Sequence, residues 1–114
     1  MASYFPALFA VSLCALFIAP LPAGQPGARV CYIGGTVGGR EGKHTHPGPL
    51  LVYVESGAIS LDYEGKPNIT YKAGDTFFVE AGKIHEGINR GNVPAVAIAS
   101  FVTPKGAPLT KQVE

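Results

Sequence analysis

Glycine and proline interrupt the chain so often after residue 28 that no helical period of useful length survives, and this punctuation constrains the fold more than any other feature. Breaks fall at Gly34-Gly35, Gly38-Gly39, Pro47-Gly48-Pro49, Gly57, Gly65-Lys66-Pro67, Gly74-Asp75, Gly82, Gly91-Asn92 and Pro94. The runs between them are rich in β-branched and aromatic residues, which suit a pleated, half-buried surface. Strands are therefore predicted near residues 29–33, 50–55, 58–63, 69–72, 76–79, 85–89 and 95–102. Within 58–63, Ile59, Leu61 and Tyr63 share one face. The runs LLVYV and AVAIASFV are apolar on both faces, which calls for a rolled sheet with a second sheet or a partner subunit packed outside it. Many short strands at close turn spacings favour a closed sandwich or barrel over an open sheet, because closure removes exposed edges.

One core is all that 114 residues can hold, and a 46% apolar composition is enough to build it. Nine Lys and Arg against eight Asp and Glu give a net charge of +1, with the charges scattered singly. No basic stripe exists to track a phosphate backbone, so nucleic acid is not an expected partner.

Residues 1–28 carry no charged side chain, and 7–19 (ALFAVSLCALFIA) are apolar apart from one serine. Thirteen residues fall short of the ~20 that a bilayer span needs and fit the core of a secretory signal, closed here by Pro20 and Pro22. Residues 1–23 are expected to be a signal peptide cleaved after Ala23, which places the protein in the periplasm or outside the cell. An uncleaved anchor, the one route to a membrane, and a misassigned start codon are the alternatives, since the first residues lack Lys or Arg and position 21 is Leu. If the leader is removed, Cys31 is the sole cysteine and no intramolecular disulfide can form. In the apolar run RVCYIG, Cys31 is expected to be a small buried hydrophobe.

The remaining domain holds three histidines, His44, His46 and His85. Residues two apart on a strand point the same way, so His44 and His46 can present their imidazoles side by side. His85 follows after enough chain for a strand to return beside them, and three imidazoles make a plausible metal face with open positions opposite. Taken alone, HxH in a Gly/Pro-rich loop also fits a pair of surface histidines, with His85 as a turn residue.

The glycine frame separates these readings. Gly38, five residues, His44-Thr45-His46, then eleven positions ending at Gly57 resembles the first motif of the cupin family, G(x)5HxH(x)3–4E(x)6G. Gly74, five residues, Glu80-Ala81-Gly82, two residues, His85, three residues and Asn89 is similar to the second motif, G(x)5PxG(x)2H(x)3N, after a 16-residue intermotif region. The resemblance implies a small conserved β-barrel of the jelly-roll-like, double-stranded β-helix type. The organisation it implies is an N-terminal strand and arm at 24–37, the barrel at 38–104 and a C-terminal tail at 105–114. It also implies a homodimer and one divalent transition metal, Fe, Mn, Ni, Cu or Zn, held by His44, His46 and His85.

Two positions depart from the pattern. Leu50 stands where the family places a glutamate ligand, and Glu80 stands where the second motif has proline, at a strand end that concerns a turn more than chemistry. A divalent ion held by three neutral imidazoles keeps its full charge and favours an anionic ligand from solution. Of the acids that could substitute, Glu55 and Glu86 have the wrong strand parity and Asp75 reads as a turn residue, while Glu41, in the loop before His44, could fold back to the site but reads first as a solvated loop charge. Arg40 and Lys43 are expected to be solvated rather than to guide an anion. The resulting expectation is an exported cupin with a three-histidine metal site, acting as a dioxygenase-like oxidoreductase on a small chelating anionic or phenolic substrate. A non-catalytic metal- or ligand-binding cupin and a degenerate structural dimer module are the alternatives, and no catalytic residue is assigned.

Overall fold

The computed structural model describes the backbone of residues 9–16 and 26–113, with side chains from residue 27 onward. The described residues form strands β1 (Phe9–Leu16), β2 (Pro26–Gly35), β3 (His44–Thr45), β4 (Leu50–Ser56), β5 (Ala58–Tyr63), β6 (Ile69–Lys72), β7 (Thr76–Val79), β8 (His85–Ile88), β9 (Ala95–Pro104) and β10 (Lys111–Gln112), and no helix. They assemble into two five-stranded antiparallel sheets, in the orders β1-β2-β9-β4-β7 and β10-β3-β8-β5-β6. All seven predicted strands are present, and β5, β6 and β7 keep their predicted limits.

The inner faces close on one apolar core. Ile33, Leu50, Val52, Val54, Val79, Ala97, Ala99 and Phe101 come from the first sheet and Ile59, Leu61 and Tyr63 from the second. Along β4 burial alternates strictly, with Leu50, Val52 and Val54 inward and Leu51 and Tyr53 outward. Burying each Val- or Leu-sized side chain contributes about 1.5–3 kcal/mol relative to leaving it exposed, which fixes this register against a one-residue slip. The outward residues form an apolar patch. Leu51 is 50% exposed and faces Phe78, 56% exposed, across the β4–β7 pair, with Tyr53 beside them. No described residue supplies the cover expected over these strands.

The β4–β5 corner needs glycine. Gly57 has φ +72°, and a side chain there would overlap the Pro94 carbonyl oxygen.

The predicted leader, residues 1–23, lies largely outside the described residues. Its described part, β1, runs antiparallel to β2 and sets Cys14 opposite Cys31. Cys31 is fully buried, as expected, yet it is disulfide-bonded rather than a lone thiol in the full chain. The expectation of a single unpaired cysteine holds only for a chain that has lost residue 14.

At the other end, the described part of the expected tail, residues 105–113, includes a strand. β10 pairs with β3, Gln112 opposite His44 and Lys111 opposite Thr45, and Val113 N donates to Lys43 O at 3.0 Å.

Candidate metal centre

His44 and His85 are direct partners across the β3–β8 pair, and His46 follows one residue after β3 ends. All three are buried. Their ring centroids lie 4.3 Å (His44–His85), 4.8 Å (His44–His46) and 4.9 Å (His46–His85) apart, and one ligand nitrogen from each lies within 4.8 Å of the others. The three residues singled out in the sequence are thus brought together.

Each ring is oriented by a main-chain carbonyl. His44 Nδ1 donates to Gly42 O at 2.7 Å, His46 Nδ1 to Leu109 O at 2.7 Å and His85 Nδ1 to Lys83 O at 2.9 Å. A carbonyl only accepts, so Nδ1 carries the proton and the Nε2 lone pair is left for a metal. Burial pushes the pKa of His46 and of His85 down to about 4, against the pull of their carbonyl partners, so both rings are neutral near pH 7. Neutral imidazole is the form that binds a metal ion. The donor set therefore fits a divalent transition metal.

The imidazoles open into a cavity of about 220 Å³. Its walls are apolar, from Val52, Ile59, Leu61, Val79, Ala97 and Phe101 among others, and Phe101 meets the His46 ring edge-on at 5.1 Å. Leu50 lines it too, only 4% exposed between Val79 and Phe101, so the position that would carry the family's glutamate faces the site and brings no charge.

Two contributions differ from the expectation. The first is Glu41, which takes the fold-back alternative: it is half-buried and lines the cavity rather than standing as a solvated loop charge. Its Oε2 accepts a hydrogen bond from Gly87 N at 2.7 Å and lies 3.9 Å from His44 Nε2. Burial raises its pKa, opposed first by His44. The second is the C-terminal segment. Leu109 orients His46, and Thr110 and Gln112 join the cavity wall.

The remaining acids and cations fall elsewhere. Glu86, the neighbour of His85, turns away as its strand parity requires and is held by Arg40, whose Nε and NH2 groups each donate at 2.7 Å, and by Gly42 N at 3.0 Å. Those bonds, Arg40 first, hold the Glu86 carboxyl below the usual carboxylate range. Arg40 is therefore a structural clamp rather than a solvated charge. Glu80 N donates to Tyr63 Oη at 3.2 Å while the Tyr63 hydroxyl donates to Glu80 Oε1 at 3.0 Å. A proline at this position would lack that N–H. Asn89, the last residue of the second motif, is fully buried and ties the Gly35 and Val93 carbonyls to Gly91 N, a structural duty.

A double-sheet β-barrel with three convergent imidazoles at its interior defines a class, and the sequence comparison agrees with it. The chain belongs to the cupin family: the family model described as "Cupin domain" matches residues 34–104. Among relatives, Germin-like protein 9-3 of Oryza sativa subsp. japonica is 39% identical over 64 residues, covering 51% of this chain and 29% of the relative. Auxin-binding protein ABP19b of Prunus persica is 35% identical over 66 residues, covering 54% and 32%. The chain thus spans about a third of the length of these relatives. Among solved structures, the DMSP lyase DddQ from Ruegeria pomeroyi DSS-3 superposes with a TM-score of 0.68 at 21% identity, covering 93% of this chain and 52% of that one. Oxalate oxidase in complex with the substrate analogue glycolate gives 0.67 at 22% identity, covering 75% and 46%. At these identities the likeness is one of fold.

Proposed function

We propose that this cupin binds one divalent transition metal through His44, His46 and His85 and uses it as a metal-dependent, dioxygenase-like oxidoreductase on a small chelating anionic or phenolic substrate. The observation that carries this reading is the shared orientation of the rings: three Nδ1–H groups are tied to carbonyls, and three ligand nitrogens converge on one buried cavity. When bound, the metal would supply Lewis acidity toward an anionic chelate and a site for oxygen chemistry. A cavity of about 220 Å³ lies below the roughly 300–1,000 Å³ of drug-sized sites and favours a substrate of few heavy atoms. The oxalate oxidase bound to glycolate, a small chelating acid, lends the substrate class support by analogy.

Oxygen uptake by metal-loaded protein, measured across small hydroxy and oxo acids, diketones, catechols and thiol acids, tests the activity. Uptake that disappears in His85→Ala is expected. Stoichiometric metal with no turnover of any of these would refute the enzyme and leave a metal- or ligand-binding cupin.

The apolar outer patch of Leu51, Tyr53 and Phe78 supports the homodimer, and the leader supports export to the periplasm or medium. Intact mass of the natural product decides the leader: loss of residues 1–23 is the expected result, and a full-length chain would overturn it. Among the described residues no helix is long and apolar enough to cross a membrane.

A further inference from the structure

We propose that Glu41 is a metal ligand, supplying from the loop before His44 the carboxylate that Leu50 cannot. The proposal rests on the metal-centre reading above and deepens it. Leu50 holds the family's glutamate position with an apolar side chain, while Glu41, three residues before His44, enters the same cavity from another direction.

Distance permits shared coordination. Glu41 Oε2 and His44 Nε2 are 3.9 Å apart, closer than the 4.8 Å spread of the three histidine donors themselves, so a modest closing of the set would bring the carboxylate onto the same ion as His44.

The placement of Glu41 is built rather than incidental. Its N–H donates to Gly87 O at 3.1 Å and its Oε2 accepts from Gly87 N at 2.7 Å, so main chain and side chain are both pinned to β8. Arg40 bridges to Ile88, and its side chain goes outward to Glu86; Gly42, at φ +80°, donates its N–H to the same carboxylate. With residues 40 and 42 both tied to Glu86, residue 41 is turned to the opposite side, toward the histidines. The carboxylate uses space that β8 leaves open at one residue: a Cβ on Gly87 would lie 2.8 Å from Glu41 Oε2.

The chemical consequence concerns the substrate. A carboxylate ligand lowers the charge of the centre by one unit, so the bare three-imidazole demand for an anion from solution is partly met within the chain.

The test uses the full chain and Co(II), whose absorption spectrum reports its ligands. Wild type, Glu41→Gln, His85→Ala and the double variant Glu41→Gln/Leu50→Glu are compared by competition with a chromophoric chelator and by Co(II) absorption. Glu41→Gln keeps an acceptor for Gly87 N and is checked for an unchanged melting curve without metal; if it fails to fold, Glu41→Asp replaces it. At least ~10-fold weaker Co(II) binding with a changed spectrum is expected for the position 41 variant, with affinity recovered in the double variant. Affinity within about twofold of wild type with an identical spectrum, while His85→Ala loses the metal, would overturn the role of Glu41 and leave the three-histidine site standing. No stoichiometric Co(II) in wild type would overturn both.

Discussion

Acid should destabilise the metal-free protein over a window set by His46 and His85. Their folded pKa values of about 4 lie below the ordinary 6.5. Between those limits the unfolded chain binds protons at both rings and the folded chain does not, so stability rises with pH and falls as pH drops. The loss begins near pH 6.5 and is complete below pH 4. Moving one ring from 6.5 to about 4 corresponds to about 3.4 kcal/mol, so the pair approaches about 7 kcal/mol, comparable to the ~5–15 kcal/mol that holds a typical domain together. Glu41 works in the opposite sense, because burial raises its pKa and so makes protonation easier in the folded state, and it blunts the fall. Urea unfolding in excess chelator at pH 7.5, 6.5, 5.5 and 4.5 reads the slope directly. Replacing both rings, as His46→Asn with His85→Asn, should flatten it. A wild-type unfolding free energy constant within about 1 kcal/mol from pH 7.5 to 4.5 would refute the claim that these rings are buried neutral.

Three further outcomes follow from the same contacts. Arg40→Met strips both guanidinium bonds from a carboxylate that is 1% exposed, and because Arg40 itself is 54% exposed the cost is discounted to about 2 kcal/mol, read by thermal or urea unfolding at pH 7.5. Ending the chain after Pro108 removes the carbonyl that orients His46 together with β10, and metal affinity measured by competition should fall about 10–100-fold. Phe78→Glu combined with Leu51→Lys places charge in the outer patch and should convert a dimer to a monomer by light scattering without changing metal content; a wild type that is already monomeric would refute the dimer.

Much of the architecture was legible because it depends on local pattern. The shared face of Ile59, Leu61 and Tyr63 comes from the two-residue period of a strand, and the corner at Gly57 from the left-handed backbone it must adopt, whereas LLVYV, apolar at every position, does not say which face of β4 is buried. The meeting of His44 and His85 was legible in the motif spacing, which leaves chain enough for an antiparallel strand to return His85 beside His44, whereas His46 joins them from just beyond the end of β3 rather than by strand parity. The choice between a solvated Glu41 and one folded back was not, because its direction depends on partners more than forty positions away: Gly87, which binds it, and Glu86, which holds its neighbours. The C-terminal strand escaped for a related reason. Lys111 and Gln112 are both exposed and carry no apolar alternation, so only pairing with Thr45 and His44 defines them as a strand. The disulfide depends on whether residue 14 stays with the chain, which is a matter of processing and lies beyond what strand pattern encodes.

The central claim is that three histidines from the two cupin motifs form one metal centre. Metal content per chain after equilibrium dialysis against Mn(II), Ni(II) or Zn(II), for wild type and for His44→Ala, His46→Ala and His85→Ala separately, tests it most directly. One ion per wild-type chain and loss of stoichiometric binding in each of the three folded variants are expected. Wild type that holds no ion, or variants that keep a full one, would contradict it.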